Sequence, residues 1–154
     1  FRIGELLSRQ IKHVQFDRYG GVMIVDGKTG MRRVRLIESI PLLANWISNH
    51  PKNTNQNAPL WIDIITYNKP VSYNAFRRML KKVVKQAGIT KRVHMHLFRH
   101  SRATELANRL TESQLKIYLG WTTGSDMAAV YVHLSGRDVD NAILELNGVK
   151  EDKR

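Results

Sequence analysis

At 154 residues, 42% of them hydrophobic and three of them Trp, the chain suits one folded domain with a sizeable core and excludes a disordered one. Lys and Arg total 25 against 13 acids, a formal charge of +12 that calls for a polyanionic partner; with no apolar run of membrane-spanning length and no basic-then-apolar leader, that partner is nucleic acid rather than a membrane. The absence of cysteine excludes disulfides and thiolate metal sites and fits a cytoplasmic protein.

The opening, Phe1-Arg2-Ile3-Gly4-Glu5-Leu6-Leu7, has Ile3, Leu6 and Leu7 at helical spacing but no initiator Met and no cap, so it reads as the middle of a longer chain. From Ile11 to Ile37 the period changes. His13-Val14-Gln15-Phe16 alternates, Val22-Met23-Ile24-Val25 is a short apolar run, and Arg33-Val34-Arg35-Leu36 alternates again. Turn residues fill Asp17 to Gly21 and Asp26 to Gly30, which predicts an antiparallel meander with Lys28 at or beside its second turn.

Ser39 to His50 returns to helical periodicity and stops at Pro51, and the Asn-rich stretch to Ala58 reads as a surface loop. Leu60 to Ile65 is apolar without a decisive period. Ser72 to Ala87 is an amphipathic basic helix closed by Gly88. Further helices are expected from about His96 to Asn108, from Thr111 with a capping box to Gln114 as far as Gly120, from about Ser125 to His133, and from Arg137 to Asn147. The result is an α+β fold, mainly α: a helical bundle with a small three-stranded antiparallel sheet. Residues 1–150 make one domain cut short at its amino terminus, and 151–154 are a charged tail.

In His96-Leu97-Phe98-Arg99-His100, His96 and Arg99 stand three apart and share one face of a helix, where an imidazole and a guanidinium can hold an oxyanion such as phosphate. Leu119-Gly120-Trp121 is followed ten residues later by Tyr131-Val132-His133. Singly, each is as well explained by packing: a Tyr among Met127, Ala128 and Val130 is usually a core residue, and a Trp after a helix-ending Gly usually packs. Their order along the chain carries more. Arg-x-x-Glu-Leu, a turn Lys between strands, His-x-x-Arg-His, Leu-Gly-Trp and Tyr-x-His follow one another without a break.

This series resembles the tyrosine recombinase family, the phage integrases and Xer-like chromosome-dimer resolvases, from Arg2 to about Asn147. The stretch Tyr131 to Asp138 is most similar to archaeal members. The resemblance implies the family's catalytic-domain fold and a DNA recombinase that cuts and rejoins duplex DNA without metal, ATP or other cofactor. It implies Tyr131 as the nucleophile that leaves a 3′-phosphotyrosine and frees a 5′-hydroxyl. Arg2 and Arg99 match the two arginines that clamp the non-bridging oxygens, where a planar fork can meet growing negative charge.

Lys28 matches the turn lysine that protonates the leaving oxygen. His96 matches the histidine that hydrogen-bonds the phosphate and assists proton transfer from Tyr131. Trp121 stands where many relatives have a second His, and its indole N–H can donate to a phosphate oxygen but cannot shuttle a proton. Glu5 is expected to hold structure near Arg2, His100 to be a buried or supporting residue, and His133 to contact the site or to pack. Arg77, Arg78, Lys81, Lys82 and Lys85 are a solvated basic surface able to meet the DNA backbone.

In relatives, further helices and a separate DNA-binding domain precede the first arginine, so the piece alone is expected to bind DNA weakly. Expected partners are double-stranded DNA and, for the intact protein, further copies of itself in a tetrameric synapse, in the cytoplasm with the nucleoid. Two other readings share these residues: a type IB topoisomerase-like enzyme, and a recombinase-like module that binds DNA without cutting it.

Overall fold

In the computed structural model, which describes residues 1–63, 65–67 and 69–134, two tight turns organise the amino-terminal part. Strands β1 (Val14–Asp17), β2 (Gly20–Gly27) and β3 (Gly30–Leu36) run antiparallel in that order. Asp17 pairs with Gly20 and Gly27 with Gly30, so the turns are Arg18-Tyr19 and Lys28-Thr29. In the first, Oδ1 of Asp17 accepts from the N–H of Tyr19 at 3.0 Å. Lys28 stands exposed in the second. On the central strand the consecutive residues Val22 and Met23 are both buried, so β2 is covered on its two faces, whereas β3 alternates.

The chain divides into two compact units, Phe1–Arg99 and His100–Arg154, with the boundary inside helix α4 (Met95–Ala107). In the first unit, α1 (Ile3–Leu7) lies against β2, and a 3-10 turn (Ile11–His13) leads into β1. Helix α2 (Ile40–Ser48) follows the sheet with Pro41 in its first turn, where a missing N–H costs nothing. Helix α3 (Tyr73–Gln86) is capped by Ser72, whose Oγ accepts from Ala75 N at 3.1 Å. None of its residues is buried, so the basic side chains from Arg77 to Lys85 meet solvent.

In the undecided run Leu60 to Ile65, the described residues form irregular, core-filling chain rather than a sheet strand. Leu60 and Ile62 are fully buried, and among the described residues the segment joins the isolated bridges Gln10–Pro59 and Ile62–Pro70. Each bridge contains a proline, which has no N–H to extend a ladder. Trp46 of α2 fixes it by donating from Nε1 to the Leu60 carbonyl at 2.7 Å. Buried His50 does the same from Nε2 to Pro59 O at 3.1 Å, while its Nδ1 accepts from Lys52 N at 3.0 Å.

In the second unit, α4 continues to Ala107, followed by α5 (Glu112–Leu119) and α6 (Met127–Leu134). The capping box forms as its sequence predicts: Thr111 Oγ1 accepts from Gln114 N, and Gln114 Oε1 from Thr111 N. Gly120 closes α5 in the left-handed conformation (φ 64°), a position that a side chain disfavours. Ala103, Ala107, Leu115, Leu119, Ala128 and Tyr131 form the buried cluster, with Trp121 packed against it. The three alanines let α4 and α6 approach the larger leucines of α5. The expected helix from Arg137 to Asn147 and the tail 151–154 lie outside the described residues, as does the side chain of His133.

Candidate active site

The first unit gathers arginines around one carboxylate. Arg2 is the residue before the first turn of α1, and Glu5, three residues on, reaches back to accept from its backbone N–H at 2.7 Å. The Arg2 guanidinium also donates from Nη1 to Glu5 Oε1 at 3.0 Å. From the sheet, Arg32 of β3 meets the same carboxylate twice, Nη2 to Oε2 at 2.7 Å and Nη1 to Oε1 at 3.2 Å. Glu5 is only 7% exposed and Arg32 9%. Burial by itself would raise the Glu5 carboxyl. The hydrogen bonds from Arg32 and Arg2 outweigh it and lower the group from 4.5 to about 2.

Gly27 makes room for this pair. A Cβ there would lie 2.6 Å from Glu5 Oε1 and 2.9 Å from Arg32 Nη1. The base of the hairpin whose turn holds Lys28 is thus seated on the carboxylate that also orients Arg2. Arg9, likewise buried, braces the helix end from below, donating to the carbonyls of Glu5 at 2.8 Å and Ile24 at 3.1 Å.

Arg99 is 8% exposed, while His96, one turn earlier on α4, faces solvent. Arg2, Arg32 and Arg9 gather around Glu5 at the start of α1, a concentration of positive charge suited to an oxyanion.

The second unit holds the aromatic residues. Tyr131 is 5% exposed, and its ring lies parallel to that of Trp121, centroids 5.4 Å apart at 10°. Its hydroxyl is hydrogen-bonded to Nδ1 of His100, with the rings 5.8 Å apart. His100 is exposed rather than buried, and it contacts the hydroxyl directly. Its exposure corrects the expected burial.

Of the residues singled out in the sequence, Arg2, Lys28, His96 and Arg99 belong to the first unit and Trp121 and Tyr131 to the second. Arg32 and the contact of His100 with Tyr131 were missed, though both carry a signal. Counting back by two from Leu36 and Val34 puts Arg32 on the inward face of β3. Likewise, His100 continues the stripe of Ala103 and Ala107 on α4. Among the described residues no group of three His, Asp or Glu could hold a metal ion, and no helix is long and apolar enough to cross a membrane.

The comparisons with known proteins give a family and a fold. The phage integrase family matches residues 1–137. Among solved structures, the chain is similar to the XerH site-specific recombinase bound to a palindromic difH substrate in a post-cleavage complex, with a TM-score of 0.69 at 20% identity over 93% of this chain and 41% of that one. It is similar also to the XerA recombinase, with a TM-score of 0.68 at 20% identity over 99% of this chain and 54% of that one. The chain thus spans about half the length of these structures or less. A search of curated protein sequences finds no match.

Proposed function

The chain belongs to the phage integrase family, and from that premise we propose that it is the catalytic part of a site-specific DNA recombinase with Tyr131 as nucleophile. One observation carries the reading: the hydroxyl of Tyr131 is held on an imidazole while its ring is clamped against Trp121, in a helix packed on the Leu-Gly-Trp segment. Any buried phenol needs a partner at its hydroxyl; what supports the reading is that the partner here is an imidazole, a group able to take a proton.

In this proposal Tyr131 Oη attacks a phosphorus of duplex DNA, forming the 3′-phosphotyrosyl ester as the P–O5′ bond breaks. Arg2 and Arg99 neutralise the non-bridging oxygens, the first oriented by Glu5 and Arg32. His96 hydrogen-bonds the phosphate, Trp121 offers its indole N–H, and Lys28 gives its proton to the departing 5′ oxygen. The ester retains the energy of the diester, so a second 5′-hydroxyl can reverse the step and rejoin strands without ATP. The buried, ion-paired setting of Glu5 matters here because a misplaced guanidinium loses its differential hold on the transition state.

Double-stranded DNA is the proposed substrate, in keeping with the net charge of +12. A tetramer of the full-length protein on two duplexes is the proposed working assembly. The test is a covalent adduct: incubate the full-length protein and its Tyr131→Phe variant with a pool of nicked, labelled duplexes, and map SDS-resistant complexes by mass spectrometry. An adduct at Tyr131, lost in the variant, supports the reading. DNA binding without any adduct would replace it with a non-cutting binding module.

A further inference from the structure

We propose that His100, the residue after the buried arginine of α4, is a catalytic residue: it accepts the phenolic proton of Tyr131 as the tyrosine attacks. The assignment rests on Tyr131 being the nucleophile and adds the base that the attack requires.

The argument starts from access. An ordinary tyrosine titrates near 10, so at neutral pH only about one molecule in a thousand carries the phenolate. A base must take the proton during attack, and water is the default one. At Tyr131 water has little room, because the side chain is only 5% exposed and sits between the alanine and leucine side chains of the second unit. Nδ1 of His100 reaches the hydroxyl directly. That histidine is exposed, so it joins the hydroxyl of this largely buried tyrosine to solvent.

Imidazole suits this position chemically. It is the side chain whose ordinary charge change falls nearest neutrality, and its two nitrogens can take a proton on one side and release it on the other. Geometry holds the pair in register from two directions. Trp121 lies parallel to the tyrosine ring and limits its tilt, while α4 carries His100 one turn before Ala103, which is packed in the same cluster. The contact therefore follows from the core packing of the unit and needs no substrate to form.

The step balances. The O–H bond of Tyr131 breaks with its proton passing to Nδ1, and Oη forms the bond to phosphorus. The P–O5′ bond breaks, and the leaving oxygen takes a proton from Lys28. In rejoining, imidazolium returns its proton to the tyrosine as the phosphotyrosyl bond is cut. His96 then has the phosphate as its target, and the two histidines divide the work expected of one.

The experiment follows single-turnover adduct formation by the full-length protein on nicked duplexes, with His100→Ala, His100→Asn and Lys28→Ala compared. Loss of a general base slows the step about 10²–10⁴-fold. That is the expected effect of His100→Ala, with partial recovery on adding free imidazole. His100→Asn keeps a polar group near the hydroxyl but cannot take the proton, so it stays slow; full activity there would reduce His100 to a positioning residue and overturn the assignment. A duplex with sulfur replacing the 5′ bridging oxygen needs no acid for its leaving group, so it should restore Lys28→Ala and not His100→Ala.

The contact is read separately from imidazole nitrogen shifts in NMR. Tyr131→Phe should move Nδ1 of His100 and Tyr118→Phe should not. Unmoved shifts, or a His100→Ala variant that cuts at the wild-type rate, overturn the proposal while leaving Tyr131 as nucleophile. Absence of a Tyr131 adduct from the wild-type protein overturns both.

Discussion

Arg32 on β3 and Glu5 on α1, 27 residues apart in sequence, form a two-pronged ion pair at 2.7 and 3.2 Å with both side chains under a tenth exposed. Through it the hairpin turn of Lys28 and the guanidinium of Arg2 share one anchor. Buried pairs of this kind add little over a well-packed apolar pair, but removing one partner strands the other charge.

Glu5→Gln is accordingly expected to destabilise the protein by about 3 kcal/mol in urea unfolding at pH 7, by leaving Arg32 buried without its counter-charge. Replacing both, as Glu5→Leu with Arg32→Met, should recover much of that loss. A double variant as unstable as the sum of the two single ones would show that the pair is not one unit.

Acid should act through the same carboxylate. Its group sits at about 2 in the folded protein against 4.5 ordinarily. Because the folded value is depressed, the contribution is fully present above 4.5 and is lost as the pH falls toward 2. The stability difference between wild type and Glu5→Gln should therefore shrink between pH 4.5 and 2, measured by thermal unfolding. A difference constant over that window would contradict the assigned ion pair.

Lys28 stands exposed in a two-residue turn, so Lys28→Ala should change stability by no more than about 0.5 kcal/mol. Under the proposed function it should nonetheless slow adduct formation by about 10²–10⁴-fold. An unchanged rate would remove Lys28 from the chemistry.

The stack of Trp121 on Tyr131 should be measurable as a coupling. A double-mutant cycle with Trp121→Leu and Tyr131→Leu is expected to give about 1 kcal/mol of interaction. Trp121→Phe keeps the ring and loses the N–H, so it should retain the fold while weakening binding to nicked duplex.

Helix α3 predicts a salt dependence. Lys81 and Lys82 are exposed on a helix with no buried residue. Converting both to Gln should lower the slope of log binding constant against log salt by roughly two. An unchanged slope would make this helix a solvated surface away from the DNA.

Much of this was legible locally. Asp17 to Gly21 and Asp26 to Gly30 specified two turns, because glycine and aspartate act within a few residues. Thr111 and Gln114 announced a helix start, and Gly120 its end, for the same reason. Leu60 to Ile65 was not legible, since a short apolar run fits a strand or a buried segment alike until its partners are known. The order of Arg2, Lys28, His96, Arg99, Trp121 and Tyr131 named a family from the sequence by itself.

What the tertiary structure alone decided is which atoms meet. Glu5 could be read as a helper of Arg2, three residues away on the same helix turn. Its stronger partner, Arg32, could not, because a contact across 27 residues depends on the path of the whole sheet. Likewise nothing local distinguishes His96 from His100 as the neighbour of Tyr131. That choice is made by packing α6 on α5 beside two alanines of α4, which brings residues 100 and 131 together.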